Sequence, residues 1–173
     1  MPVLQNCEVW FVKADPKRPN KKFNPANPTW EVQIRTNDKA QVEDWKKHGL
    51  NVKPIIPDDD PTQMYWRVNL RKKSIKEDGQ AASAVTVVDA KLRDLDPNII
   101  GNGSIANVRI YQYTYQKQPT GQGIATVFMG LQVTKLIKYT PKARDDDFSD
   151  AGDMEVVEED DAETEVATPT PRV

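Results

Sequence analysis

The chain is poor in the residues on which most enzyme chemistry rests. It holds one cysteine, Cys7, and one histidine, His48, in 173 residues. A single cysteine excludes an internal disulfide and a cysteine-built zinc site, and it points to a reducing cytosol. A Ser-His or Cys-His nucleophile would have to use these two rare residues. His48 falls near the end of a predicted helix, where a solvated role suffices. No run of 18 apolar residues is present, so no helix is expected to span a membrane. Residues 1–13 lack a basic start and a long apolar stretch, and Glu8 interrupts them, so no signal peptide is expected. The phosphate-loop pattern is missing too, because Gly101-Asn102-Gly103-Ser104 has no lysine. Asp58-Asp59-Asp60 lie in a proline-rich loop and read as solvated acids; a metal-dependent nuclease using them is the minor alternative. The expectation is a protein with no metal, no cofactor and no catalytic site.

What the chain does have is charge, unevenly placed. Its net charge is −2. Residues 1–144 carry 23 Lys+Arg against 14 Asp+Glu, a net of +9, and residues 145–173 carry Arg172 against 12 acids, a net of −11. A basic body thus precedes an acidic tail. The tail has no apolar periodicity and cannot bury enough apolar surface to offset its ordering entropy, so disorder is expected there. The organisation predicted is one domain over residues 1–140 and an acidic tail over 141–173.

Within the body the pattern is mostly that of strands. Cys7–Lys13 is short, apolar and β-rich. Residues 14–28 contain four prolines and form a loop, carrying Lys17, Arg18, Lys21 and Lys22 beside Phe23. Residues 29–35 alternate, with Trp30, Val32 and Ile34 on one face. Asn37 reads as a helix N-cap with Asp38 in the first turn; the helix packs through Val42 and Trp45 and stops at Gly49. Residues 51–61 read as loop. Residues 64–73 alternate again, with Trp66, Val68 and Leu70 inward. A strand follows at 84–90. Strands at 104–116 and 124–138 make a hairpin about a turn at 117–123. The last strand is expected to face the core with Ala125, Val127, Met129, Leu131 and Val133.

Two strands carry a chemistry-bearing face. Side chains two apart share a face, so Arg109, Tyr111, Tyr113, Tyr115 and Lys117 line up, as do Tyr65, Arg67, Asn69, Arg71 and Lys73. Aromatic faces stack unpaired bases, each contributing roughly 1–3 kcal/mol, while cations take the phosphates. The plain alternative is that tyrosines cover a half-exposed sheet and that basic side chains merely solvate a strand or block its edge. Two such strands and the basic loop together favour a binding surface for single-stranded nucleic acid. The tail, about 30 Å in r.m.s. reach for 29 flexible residues, can compete for that surface. A different reading makes the tail itself the active part, as a protein-interaction module or DNA mimic acting on a host factor.

The run Val87-Val88-Asp89-Ala90, Ile99-Ile100-Gly101-Asn102-Gly103-Ser104 and Val108-Arg109-Ile110-Tyr111, followed by the Gly121-Gln122-Gly123 turn, resembles the OB-fold single-stranded-DNA-binding proteins of tailed bacteriophages. The resemblance covers residues 84–139, with the acidic tail in agreement. It implies a mainly β, OB-fold-like Greek-key barrel of five to six strands with one short helix and a disordered acidic tail. It implies a non-enzymatic coat on single-stranded DNA in phage replication and recombination, in the cytoplasm of an infected bacterial host. The partners it implies are single-stranded DNA, replication proteins (polymerase, helicase-primase) reached through the tail, and a second copy of the chain, with no membrane. The DNA-binding residues it nominates are Arg109, Tyr111, Tyr113, Tyr115 and Lys117. From the binding face and loops of OB-folds come Lys17, Arg18, Lys21, Lys22, Tyr65, Arg67, Arg71 and Lys73. The tail ends Pro171-Arg172-Val173, without the bulky terminal aromatic frequent in that family; Phe148 is its one aromatic.

Overall fold

The structure is a computed structural model that describes residues 1–22, 24–117, 119, 121–139 and 153–154. The chain divides into two units, Met1–Thr140 and Pro141–Val173. The expectations of a disordered tail, of Phe23 beside the basic cluster and of Phe148 in the tail lie outside the described residues.

The first unit is mainly β with one helix. Its strands are β1 (Val3–Lys13), β2 (Thr29–Thr36), β3 (Lys53–Ile55), β4 (Tyr65–Lys73), β5 (Thr86–Asp89), β6 (Ser104–Lys117) and β7 (Gly121–Lys135). The helix α1 (Lys39–Lys47) follows β2. They form one seven-stranded sheet in the order β3-β4-β2-β1-β6-β7-β5. All pairings are antiparallel except β5 with β7. The five long strands connect as in an OB-fold-like Greek key: β1, β2 and β4 meander, and the β6–β7 hairpin returns beside β1. The sheet curls until β4 and β7, not hydrogen-bonded to each other, line the two sides of one groove.

Alternation places the core. In β2, Trp30, Val32, Ile34 and Thr36 are buried while the residues between them are half-exposed. Val68 and Leu70 of β4 follow the same rule, but Trp66 is only half-buried. Val108 and Ile110 of β6 meet Leu4 and Val9 of β1 in one apolar cluster that includes Trp45. Val42 and Trp45 are the buried residues of α1, as its spacing predicts. Gly49 takes a φ of +76° just beyond the helix, the left-handed stop that glycine adopts without strain.

Several expectations need correction. There are seven strands, not five or six, because Lys53–Ile55, read as loop, pairs with β4 at the sheet edge. The helix cap is Asp38, whose carboxylate accepts the Ala40 N–H at 2.9 Å, and not Asn37. In β7 the inward face is not Ala125, Val127 and Met129: Phe128 is fully buried, with Leu131 and Val133 continuing the face. Arg109 pairs with Gly130 but Ile110 pairs with Phe128, so β7 carries one extra residue there. Such a bulge swaps the faces of everything on one side of it.

The Gly101–Ser104 turn works as a clamp. Gly101 N–H donates to the Ile137 carbonyl at 2.7 Å. A Cβ on Gly101 would stand 2.5 Å from that same carbonyl oxygen, so only glycine permits the approach. Ser104 Oγ donates to the Gly101 carbonyl at 2.8 Å and accepts the Ile137 N–H at 2.9 Å. A pattern that lacked its phosphate-binding lysine therefore has a structural use.

Candidate nucleic-acid interface

The outward face of β2 and β4 is polar and cationic. Cross-strand pairs set Arg35 opposite Arg67, Gln33 opposite Asn69, Glu31 opposite Arg71 and Thr29 opposite Lys73. Gln33 Nε2 donates to Asn69 Oδ1 at 3.0 Å. Arg71 Nε lies 3.6 Å from Glu31 Oε2. One acid thus sits among the cations, and it is paired.

Two grooves cross this face. The first, of about 530 Å3, runs between the sheet and the β1–β2 loop and is lined by Phe11, Lys13, Lys22, Gln33, Asn69 and Arg71 among others. The second, of about 1320 Å3, lies between β4 with its following loop and the β6–β7 hairpin. Arg71, Lys73 and Lys76 line one side of it, and Tyr111 and Tyr113 line the other. Arg71 lines both grooves. The curl of the sheet thus brings two patterns far apart in sequence to one track.

The tyrosines are presented outward by β6. Tyr111, Tyr113 and Tyr115 are each close to half exposed. The Tyr111 and Tyr113 rings are 6.0 Å apart, tilted by 32°. Tyr115 lies over Gly123: a Cβ there would meet its ring at 2.6 Å. That glycine leaves room for the aromatic to lie flat on the hairpin, a known way of filling the gap above a strand glycine.

Not every nominated residue joins the track. Arg109 lines a separate small depression with Val3, Val88 and Leu92, which Tyr111 and Tyr113 do not line. Arg18 is exposed at the loop and 3.8 Å from Asp15. Lys17 and Lys21 are exposed on the same loop, whose base is anchored through Asp15. Trp30 Nε1 donates to the Asp15 carbonyl at 2.9 Å, and Asn98 Nδ2 to its carboxylate at 3.0 Å. The Asn98 bond, then the Lys17 N–H, hold the Asp15 carboxyl below the usual range. Lys117 ends β6 opposite Gly121. Tyr65 and Arg67 sit toward the other end of β4, about 26 and about 20 Å from Lys73 at the ordinary strand rise.

Sequence reasoning missed an aromatic cluster at that end. The Arg35 guanidinium lies 3.8 Å from the Trp10 ring centroid, 4.3 Å from Tyr65 and 5.4 Å from Phe11. Partial burial pulls the Arg35 pKa below its ordinary value, but an arginine stays charged at any neutral pH. Its Nε donates to Gln33 Oε1 at 2.7 Å. The signal was present in Trp10-Phe11, but strand alternation sends Phe11 inward with Val9. A break in the β1–β2 register between Trp10 and Lys13 sends it out instead.

The acids at 58–60 have a local role: Asp60 caps a short turn by accepting the Thr62 N–H at 3.1 Å. The Thr62 bonds hold its carboxyl below the usual range. Among the described residues no group of His, Cys, Asp or Glu could hold a metal ion. No helix among them is long and apolar enough to cross a membrane.

No protein-family model and no curated protein sequence matches the chain. Solved structures do. The fold resembles that of a single-stranded DNA-binding protein from bacteriophage Enc34. For its C-terminally truncated form the TM-score is 0.50 at 12% identity, over 77% of this chain and 84% of that one. The single-stranded DNA binding protein gp2.5 of bacteriophage T7 gives a TM-score of 0.49 at 14% identity, over 86% and 97%. The Enc34 protein in complex with single-stranded DNA gives 0.49 at 13% identity, over 77% and 85%. Phage single-stranded-DNA-binding proteins are thus what this fold is similar to, as the sequence pattern indicates.

Proposed function

We propose that this protein binds single-stranded DNA with little sequence preference and coats it without catalysing a reaction. The observation that carries this reading is the continuous track in which Arg71 joins two grooves, with cations along β4 and two tyrosines facing them. Cations follow a phosphate chain and aromatic faces take successive bases, whatever their identity. The Enc34 protein, similar in fold, is named for single-stranded DNA binding, which supports the same ligand here.

The wider role we infer is in phage DNA replication and recombination, in the cytoplasm of an infected bacterium. The body, residues 1–140, acts as the binding domain. The acidic tail competes with DNA for the track and contacts replication proteins such as a polymerase or helicase-primase. The net charges of +9 and −11 on either side of residue 144 suit that exchange, and both tail contact and DNA binding weaken with salt.

Titration of the full chain and of residues 1–144 against dT and rU oligomers tests this. Tighter dT binding after truncation, with no cleavage in Mg²⁺, is expected. Absence of DNA binding in both forms overturns the reading and favours a protein-interaction module or DNA mimic working through the tail. Tighter binding to rU than to dT makes RNA the ligand.

A further inference from the structure

We propose that Phe11 is a base-stacking platform at the first groove, built for that purpose by a bulge in β1. The inference rests on the single-strand-binding reading and names a contact which that reading does not contain.

Phe11 sits where a core residue belongs. Val9, two positions earlier, is fully buried, and β1 has a partly buried residue against the core at Val12. The bulge turns Phe11 outward, where it is 51% exposed. Its φ is +52°, a conformation that costs a bulky residue energy and that persists only when surrounding structure holds it. Here the hold is visible: the Phe11 N–H donates to Asn102 Oδ1 at 2.8 Å, from the turn that clamps Ile137. Trp10 meets the Phe11 ring edge-on, with centroids 5.9 Å apart and planes at 67°.

An exposed ring held in a strained backbone costs stability, and such strain clusters at ligand-binding sites. Around it lie Lys13, Lys22 and Asn69 on the same groove, with the Arg35 charge 5.4 Å from the ring centroid. The occupant that fits is an unpaired base of a single strand, with its phosphates toward the lysines.

The test uses the full chain and its Phe11→Ala, Phe11→Gly and Phe11→Tyr variants. Each is titrated with a dT oligomer and with an abasic oligodeoxynucleotide of equal length. Loss of the ring is expected to weaken dT binding about 5- to 150-fold, the equivalent of one stacked base, and to leave abasic binding unchanged. Phe11→Tyr keeps dT affinity. Phe11→Gly relieves the positive φ, so its thermal midpoint stays at or above that of the parent while its dT affinity falls. Wild-type dT affinity in Phe11→Ala overturns the platform and leaves single-strand binding standing. Equal loss for both oligomers also overturns it, because a base contact cannot matter without bases. If the unaltered chain binds neither oligomer, the binding function itself falls and the platform with it.

Discussion

Removing Arg71 and Lys73 together tests the track through its salt dependence. Besides Lys72, five cations line the two grooves: Lys13, Lys22, Arg71, Lys73 and Lys76. Lys72 is left out, because its Nζ donates to the Ser83 carbonyl at 2.6 Å and burial lowers its pKa. If each of the five meets one phosphate, the slope of log K against log salt is about −3.5, at about 0.7 per contact on a single strand. Between about 50 and 200 mM salt that slope weakens binding about 130-fold. Arg71→Ala with Lys73→Ala removes two contacts, so the slope becomes about −2.1 and the same salt change costs about 18-fold. Arg71 also stands 3.6 Å from Glu31, so its loss leaves a carboxylate beside the phosphate path and lowers affinity at every salt concentration. The assay is fluorescence anisotropy of a labelled dT oligomer at four or more salt concentrations. Tyr111→Ala and Tyr113→Ala are the controls, expected to lower affinity by about 1–3 kcal/mol per base with no change in slope. An unchanged slope in the double variant refutes the phosphate path. A changed slope in the tyrosine variants refutes the division of labour between rings and cations.

Two further predictions concern the fold. Phe128→Ala is expected to destabilise by about 3–5 kcal/mol, as truncation of a buried aromatic does, and Met129→Ala by about 1 kcal/mol. Denaturant melts of both variants check this; a costlier Met129 would mean that β7 alternates without its bulge. The second concerns Cys7, whose thiol is pushed up from 9.0 to about 12, by burial first and then by the Asp44 charge. Below pH 9 the thiol is protonated in both folded and unfolded chains and stability does not depend on it. Above pH 9 only the unfolded thiol ionises, so stability falls with rising pH toward 12, by about 1.4 kcal/mol per unit. Cys7→Ala should lack that component of the alkaline loss. Native protein should resist a thiol-reactive disulfide at neutral pH, and rapid reaction without unfolding would refute the burial argument.

The alternation in β2 was legible from Trp30, Val32 and Ile34 because each strand residue answers to one local question, inside or outside. The α1 core contacts, Val42 and Trp45, were legible for the same reason at helical spacing. The face of β7 was not. A single extra residue near Met129 reverses inside and outside, and no feature of the strand's own sequence marks where the partner strand will skip. Phe11 was lost to the same cause in β1. The edge strand Lys53–Ile55 was missed because three residues with a proline carry too little pattern to outweigh their loop-like neighbours.

Charge partition, the single cysteine and single histidine, and the presence of two aromatic-cation strands follow from the sequence alone, since they depend on which residues are present and on period-two spacing. Whether those strands act together depended on the tertiary structure. Arg71 and Tyr113 are 42 positions apart, and only the curl of the sheet sets β4 facing the β6–β7 hairpin across one groove. Arg109, two residues from Tyr111, lines a different depression. Neighbourhood along a strand is local geometry; neighbourhood across a barrel is set by twist, bulges and closure, which no single segment encodes.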